Sequence, residues 1–571
     1  MINIEQAVLD KFPAFASQPQ IIRGPTVSFL KKMMHQDEVN AFLGNNEHIE
    51  GFEFIDAVFD YFNFSYSVSA RDRANIPSEG RVVIIANHPI GSLDGLAILK
   101  LIGEVRRDVK IVANDMLMNF NALHKLLIPL DNLGAGGTRR SIKATLASLE
   151  QEQAVIVFPA GEVSRARPTG VKDSRWRPGF LHFARKANAP LLPIHIAAKN
   201  SLLFYSASML FKPLGTALLA REMFNKRSST IRFIIGETIS TKCLQTEQLQ
   251  DRTLVKRLKK HVYALGKRKG STHFETVRTV AHPEDRTALQ QELKSAQLLG
   301  ETRDHNRIYL FDAFPNSAVM REIGRLREVT FRKVGEGTGS KRDVDEYDRH
   351  YRHLVVWDRE KLEIAGAYRL GEGKVILQQM GEEGFYTRSL YRFKPELRPY
   401  LEQGVELGRS FVNPNYWGKA SLDYLWQGIG AYLAYHPEVR YMFGPVSMSA
   451  NYPRALIDTL VFFYQRYYAS DESLAEAYHP FQLSEQSRCD LQSVFAGLDR
   501  EQGFDRMQKI FEQHGQKLPI LFKQYAALFE EQGFKALVFS VDPDFGDCLD
   551  GMCMGDMSKL KASRKKRYIV K

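Results

Sequence analysis

The sequence predicts an α/β protein of two domains, each built on its own sheet. Three observations predict it. The chain has 571 residues, more than one hydrophobic core ordinarily organises. Short apolar runs alternate with helical periodicity twice, over roughly 81–240 and again from Arg307 onward. Between them lies a polar, charged stretch with "GKRKGST" and "HPEDRTALQQELKSAQ", which reads as a linker carrying one helix. The expected division is 1–265, a linker 266–304, and 305–571.

The first sixty residues read as helices. In "GFEFIDAVFDYFNF", Phe52, Ile55, Phe59 and Phe62 recur at helical spacing, while Glu53, Asp56 and Asp60 fall on the opposite stripe. Such a face covers either a core or a lipid interface. Upstream, "FLKKMM" sets Lys31 and Lys32 beside Leu30, Met33 and Met34. The runs "RVVIIA", "VKIVA", "AVIVFPA", "PLLPIHIA" and "TIRFIIGE" are nearly all apolar, as in strands covered on both faces. With helices between them they predict a largely parallel sheet. In the second half the strand candidates are "RIYLF", "HLVVWD", "EIAGAYRL", "GVELGRSFV", "RYMFGPVSM" and "ALVFSVD", with the helix "SLDYLWQGIGAYLAYH" among them. Residues 454–530 read as mainly helical.

Composition narrows the class. With 44% hydrophobic and 11% aromatic residues the chain can bury large cores, which excludes wholesale disorder. Cys243, Cys489, Cys548 and Cys553 form no CxxC pair, which suits a reducing cytoplasm and gives no metal site. The start, "MINIEQAVLDKF", lacks the basic and apolar regions of a signal peptide. No run reaches the roughly 20 apolar residues that span a bilayer; "SLLFYSASMLF" has 11. The net charge is +12, and seven of the lysines and arginines lie in the last thirteen residues, "KLKASRKKRYIVK", which hold no acid. A basic tail over 559–571 suits an anionic membrane surface, at about 1 kcal/mol per charge close to it. Nucleic acid is not the expected partner, given the motifs that follow.

The first motif, "NHPIGSLDG" over 87–95, ends an apolar strand. Its plain reading is a turn with Ser92 or Asp94 capping the next helix. Its chemical reading is an acid–base pair, with Asp94 orienting the His88 imidazole. "LGAGGTRRS" (133–141), "FPAGEVSR" (158–165) and "APLLPIHI" (189–196) follow. "GAGG" has no Lys-Ser/Thr behind it, so it is no nucleotide loop. Taken in order, these blocks resemble the glycerophosphate/lysophospholipid acyltransferase superfamily over roughly 60–240. The resemblance implies acyl transfer from a thioester to a hydroxyl, with His88 as base and Asp94 fixing its tautomer. Asn87 or the backbone N–H groups of the turn would stabilise the oxyanion. Gly161 and Glu162 match the acceptor motif, against a mere tight turn. Arg139, Arg140 and Arg165 would hold an anionic acceptor or carrier phosphate, against a solvated surface. Five residues, Pro89 to Leu93, separate His88 from Asp94 where the superfamily usually has four. That form resembles a subgroup linked to amino-acid-containing lipids.

The second half carries "EIGRLREVTFRKVGEGTG", "DVDEYDRHYRHLVVWD", "GAYRL" and "VELGRSFV", with "ALVFSVDPDFGDCLDGMCMGD" returning to the same sheet. The series resembles N-acyltransferases of the GNAT superfamily, nearest to acyl-homoserine-lactone synthases and enzymes that N-acylate ornithine. The resemblance assigns substrate and core-loop contacts to Arg327, Phe331, Asp345, Asp348, Arg369 and Arg409. Asp345 and Asp348 would hold the amino acid's ammonium, and Glu406 would be the base; the plain alternative is charge pairing on a solvated helix. "NPNYWGKASLDYL" looks like the loop that clasps the donor at a helix N-terminus, with Gly418 and Ala420 as donor contacts. Asn415 stands where that loop usually has Arg or Gln, which favours acyl carrier protein, with its single phosphate, over coenzyme A.

Together the halves resemble the bifunctional ornithine lipid synthases. The resemblance implies that the C-terminal domain N-acylates an ornithine-like amino acid with a 3-hydroxyacyl group. The N-terminal domain then O-acylates that hydroxyl. No cofactor is expected to stay bound, with acyl-acyl carrier protein as co-substrate. The expected place is the cytoplasm, peripheral on the inner face of the cytoplasmic membrane. The alternatives are synthesis of a glycine, glutamine or lysine lipid, a lysophospholipid acyltransferase, or a non-catalytic, hemolysin-like membrane-binding protein.

Overall fold

Val82–Ala86 is Val-Val-Ile-Ile-Ala, and every one of its side chains is buried. A strand with no solvent face belongs in the middle of a sheet. The computed structural model, which describes residues 3–11, 15–114, 120–130, 135–167, 170–210, 212–246, 250–267, 274–418 and 421–569, puts it there. Two units divide the chain, Met1–Ala281 and His282–Lys571.

The strands of the first unit are β1 (Ser65–Ser67), β2 (Val82–Ala86), β3 (Val109–Asn114), β4 (Leu127–Leu130), β5 (Ala154–Val157), β6 (Leu191–Ala197), β7 (Thr230–Ile235), β8 (Thr238–Ile239) and β9 (Thr276–Val277). Their order is β1-β7-β6-β2-β5-β3-β4, with β8 on β6 and β9 on β8. β2 runs parallel to both neighbours, β5 and β6. The chain after β2, after β5 and after β6 therefore emerges at one edge, where ligands meet sheets of this kind. That edge collects residues 87–95 and 158–165.

Helix Phe52–Phe62 buries Phe54, Ile55, Val58, Phe59 and Phe62, so its apolar stripe covers core. The contact is close: a Cβ on Gly103 would lie 2.1 Å from the Phe52 ring. Helix Gln20–Met33 differs, leaving Ile21 87% and Phe29 64% exposed. No described helix is long and apolar enough to cross a membrane.

The second unit holds β10 (Gln297–Glu301), β11 (Arg307–Asp312), β12 (Arg352–Asp358), β13 (Glu363–Glu372), β14 (Tyr391–Phe393), β15 (Gly404–Val412), β16 (Tyr441–Met448), β17 (Ala475–Ala477), β18 (Phe534–Asp542) and β19 (Cys548–Asp556). Eight form one sheet, β10-β11-β12-β13-β15-β16-β19-β18, and β14 pairs with β17. Its neighbours are antiparallel except β15 and β16, which run parallel and pair only from Gly404 to Glu406. Past Glu406 that pairing stops while both strands run on, to Val412 and Met448, and the unbridged stretch between them is a candidate slot for an extended ligand.

Two expectations change. The stretch 266–304 is not a linker throughout: β9 joins the first sheet and β10 the second. Helix Arg286–Leu293 buries Leu289 and Leu293. Glu292 accepts from the Ala318 and Val319 N–H groups at 2.7 and 3.0 Å, capping helix Ala318–Val334. The basic tail is not free either. Its residues form helix Ala562–Tyr568, which packs on helix Ser421–Tyr435. Leu560 is buried, Arg567 Nη2 lies 2.7 Å from Asp423, and the Tyr568 hydroxyl donates to Asp423 at 2.8 Å.

Candidate active sites

In the first unit, helix Ser92–Gly103 starts immediately after the turn that follows β2. Gly91 makes the turn possible, with φ at 105°. Asp94 is fully buried, and its Oδ2 accepts from the Ile90 and Gly91 N–H groups at 2.9 and 3.3 Å. Its Oδ1 lies 2.8 Å from His88 Nδ1, a close ion-pair contact off the straight hydrogen-bond line. The cap and the acid–base pair are thus the same residue, one oxygen for each duty. Burial opposes charge on His88, but Asp94 and then Asp173 outweigh it and raise the imidazole pKa above its ordinary 6.5. Nδ1 being taken, Nε2 is left for a substrate. The ring stacks on Phe158 at 4.2 Å.

Asp173 was not foreseen. Its Oδ1 accepts from the His88 N–H at 3.2 Å and from the Ser164 hydroxyl, and its Oδ2 from Trp176 Nε1 at 2.8 Å. Ser164 N–H donates to the His88 carbonyl at 2.7 Å, so the two motif blocks are stitched together. A single Asp in "VKDSRW" gives no periodic signal by which to find it.

Asn87 is engaged as a strand tie, which leaves at most one of its Nδ2 hydrogens for an oxyanion. Its Nδ2 donates to the Ile196 carbonyl at 3.0 Å and its Oδ1 accepts from Ile196 N–H at 2.7 Å, tying β2 to β6. The turn's Ile90 and Gly91 N–H groups are likewise spent on Asp94. Gly161 has φ at 66° and is exposed beside Glu162, whose Oε2 lies 3.8 Å from Arg165 Nε. Arg165 also donates to the Ser208 hydroxyl. Arg139 and Arg140 lie exposed near the start of helix Ala135–Glu150, and no described contact brings them to His88.

In the second unit five of the expected residues form one network. Arg327 Nη1 lies 2.8 Å from Asp348 Oδ1. Arg369 Nη1 lies 2.5 Å from Asp345 and 3.4 Å from Asp348. Arg409 reaches Asp343 at 3.2 Å and Asp345 at 3.3 Å. Asp343, two residues before Asp345, is the member missed. Burial works against the Asp348 charge, but Arg327, Arg369 and His353 hold its carboxyl well below the usual range. Three arginines answer three aspartates, so Asp345 and Asp348 have no spare negative charge for an ammonium. The solvated-helix alternative fails too, because Arg327, Arg369 and Asp348 are buried. Nε and Nη2 of Arg369 find no acceptor among the described residues, and its guanidinium sits 5.0 and 5.1 Å from the Tyr386 and Tyr351 rings. Phe331 packs on Phe545, whose ring lies 4.8 Å from the Arg409 guanidinium. Arg409 itself has φ at 50°, at the bulge where β13 and β15 shift register, beside the slot.

Glu406 is 1% exposed, and both its oxygens are engaged. Tyr351 OH donates at 2.5 Å to Oε2, and Thr387 donates to Oε1 through its N–H at 2.8 Å and its hydroxyl. Burial raises its pKa; bonds from Thr387 and Tyr351 offset part of that. A carboxylate saturated from within anchors Tyr351 and Thr387; it is not placed to touch the amine as a base. Gly418, with φ at 78°, follows a turn held by Asn413 and precedes helix Ser421–Tyr435. Ala420 lies outside the described residues. Asn415 Nδ2 reaches Glu363 at 3.5 Å.

Two family models match: residues 7–270 that described as acyltransferase, and residues 326–427 that of the acetyltransferase (GNAT) domain. A lyso-glycine lipid O-acyltransferase of Bacteroides thetaiotaomicron is 30% identical over 42% of this chain and 88% of its own length. A glycine N(alpha)-acyltransferase of Phocaeicola vulgatus is 30% identical over 50% of this chain and 91% of its own. An L-ornithine N(alpha)-acyltransferase of Rhodobacter capsulatus is 30% identical over 44% and 90%. The chain is therefore an acyltransferase that belongs to two families at once, the acyltransferase family through its first unit and the GNAT family through its second.

Proposed function

We propose that this chain makes an aminolipid by two acyl transfers, the second unit acting on an amine and the first on a hydroxyl. The observation that carries the reading is the presence of two separate constellations on one chain: the His88–Asp94 pair at a parallel-sheet edge, and the parted β15–β16 pair beside the arginine–aspartate network. The names of the relatives support it, since they include N-acylation of glycine and of ornithine and, separately, O-acylation of a lyso-glycine lipid.

In the first transfer the donor's extended, amide-bearing arm lies in the slot past Glu406, where unpaired backbone can bond it. The neutral amine attacks the thioester carbonyl, the C–S bond breaks, and the nitrogen's extra proton leaves with the thiolate. Glu406 holds Tyr351 and Thr387 in place for this step. In the second transfer the 3-hydroxyl of the new acyl group gives its proton to His88 Nε2 as its oxygen attacks a second thioester. The imidazolium, steadied by Asp94, then protonates the departing sulfur.

The donor we propose is acyl carrier protein, because the 413–417 turn carries no arginine for a pyrophosphate. The amino acid is ornithine on the sequence resemblance; glycine is the second reading, favoured by a glycine relative matched over 91% of its length. We assign the second transfer to an anionic bilayer, on the inner face of the cytoplasmic membrane, because the lyso-lipid already carries a fatty chain. Exposed Ile21, Phe29, Leu202 and Met209 suit such a surface. Expression in a host lacking aminolipids, with lipid mass spectrometry, tests the function. A new diacylated amino-acid lipid is expected, and the mass of its head group separates ornithine from glycine. A lipid profile identical to the empty host would overturn it.

A further inference from the structure

The first unit has a cleft of about 540 Å³ with an unexplained charge, lined from the same 158–165 block that packs on His88. Gly161 and Glu162 form one wall, and Ser174, Arg175, Trp176 and Arg177 form the other. It begins two residues past Phe158, whose ring stacks on the His88 imidazole.

The second wall is fixed from behind. Asp173 is buried among the bonds described above, and Lys259 Nζ donates to the Asp173 and Ser174 carbonyls at 2.7 Å each. Trp176 is buried, and Arg177 N–H donates to the Pro159 carbonyl at 2.9 Å. Exposure therefore alternates: Trp176 points inward, while Arg175 and Arg177 on either side of it are exposed at the cleft. Glu162 already has Arg165 near it. Arg175 and Arg177 have no ion pair among the described residues, so two cations on a rigid strip face the cleft without a counter-ion.

The chemistry of the first transfer says what that counter-ion would be. Acylating an amino acid turns its α-ammonium into a neutral amide and leaves the α-carboxylate without the cation next to it. We propose that Arg175 and Arg177 bind the carboxylate of the N-acyl amino acid and thereby set the first unit's preference for a head group with a free α-carboxylate. This rests on the aminolipid reading and adds residues that no sequence motif singled out. Arginine's planar fork suits a carboxylate, and the two stems stand two residues apart on the same side.

The test compares two acceptors, an N-(3-hydroxyacyl) amino acid and its carboxamide, with one acyl thioester donor. The wild-type protein should prefer the acid in kcat/KM by roughly ten- to a hundredfold, as expected for charge-assisted bonds at a half-open site. In Arg175→Gln/Arg177→Gln that ratio should fall to within about threefold of one. Both positions are exposed, and a thermal melt matching the wild type confirms the fold. A wild-type protein that accepts acid and amide alike, or a variant that keeps the wild-type ratio, overturns the subsite alone. A wild-type protein that acylates neither acceptor overturns the aminolipid function and the subsite with it.

Discussion

Asp94→Asn should silence the first unit while leaving its fold and the second unit intact. The side chain is fully buried and does two things: one oxygen holds the Ile90 and Gly91 N–H groups, the other faces His88 Nδ1 at 2.8 Å. Asparagine can keep one carbonyl oxygen on the backbone donors. Its NH₂ then faces Nδ1, which must accept, so the proton moves to Nε2, the nitrogen that has to act as base. A triad aspartate exchanged in this way costs roughly 10⁴-fold in kcat, and a loss of about 10³- to 10⁴-fold is expected here. That is about 4–5.5 kcal/mol of transition-state stabilisation. The pH profile moves as well. Asp94 is the main group raising the His88 pKa above 6.5 against the opposing effect of burial. A base with a raised pKa works only above it, so the wild-type acidic limb lies above that value and the variant's moves to lower pH. The assay is O-acylation of supplied lyso-lipid from pH 5 to 9, with N-acylation by the same preparation as the internal control. A variant within tenfold of the wild-type rate, with an unmoved limb, would refute the acid–base pair.

Other consequences follow from the same geometry. Asp173→Asn sets an NH₂ against a fixed donor whichever way the amide turns, the His88 N–H on one side or Trp176 Nε1 on the other. It should cost about 1–3 kcal/mol in denaturant unfolding and lower the acidic limb of O-acylation; an unmoved limb would limit Asp173 to a structural role. Asp550 is pushed up to about 8 by burial, Asp542 and Glu336. The native state therefore holds a proton the unfolded chain has lost, and stability falls as pH rises from the ordinary carboxylate value of 3.8 through about 8. Asp550→Asn should raise the unfolding midpoint at pH 9 by up to about 5 kcal/mol in stability, and hardly at pH 4. Tryptophan fluorescence reads this, because Trp357, Trp417 and Trp426 belong to the second unit and only Trp176 to the first. Truncation after Met557 should destabilise the second unit by roughly 3 kcal/mol, since it uncovers the surface under Leu560 and Tyr568. N-acylation should then suffer before O-acylation; the reverse order would mean that the basic segment acts only at a membrane.

Much of this was legible in the sequence where one kind of side chain repeats. β2 and β5 announce themselves as unbroken apolar runs and β6 as one broken only by His195, and parallel pairing then brings residues 87–95 and 158–165 to one edge. The sign of an environment is harder to read. Asp345, Asp348 and Glu406 look like free carboxylates in a string of letters; the fold supplies Arg327, Arg369 and Arg409 to two of them and Tyr351 with Thr387 to the third. Asn87 looks like a free oxyanion donor until β6 takes both ends of its amide. The last thirteen residues look like a loose basic tail because nothing local reveals that Asp423, more than 130 positions earlier, awaits Arg567 and Tyr568. Helix Arg286–Leu293 was legible as the linker's one helix; its place in the second unit's core, through Leu289 and Leu293, was hidden under a polar composition.

The central claim is that one chain performs both transfers, the amine first and the hydroxyl second. The most direct measurement supplies purified protein with an amino acid and 3-hydroxyacyl and acyl thioesters, and follows products by mass spectrometry in the wild type and in His88→Ala. The wild type should yield the diacylated amino-acid lipid. His88→Ala should stop at the singly acylated compound and accumulate it. Diacylated product from the His88→Ala protein, or no N-acylated amino acid from either, would contradict the account.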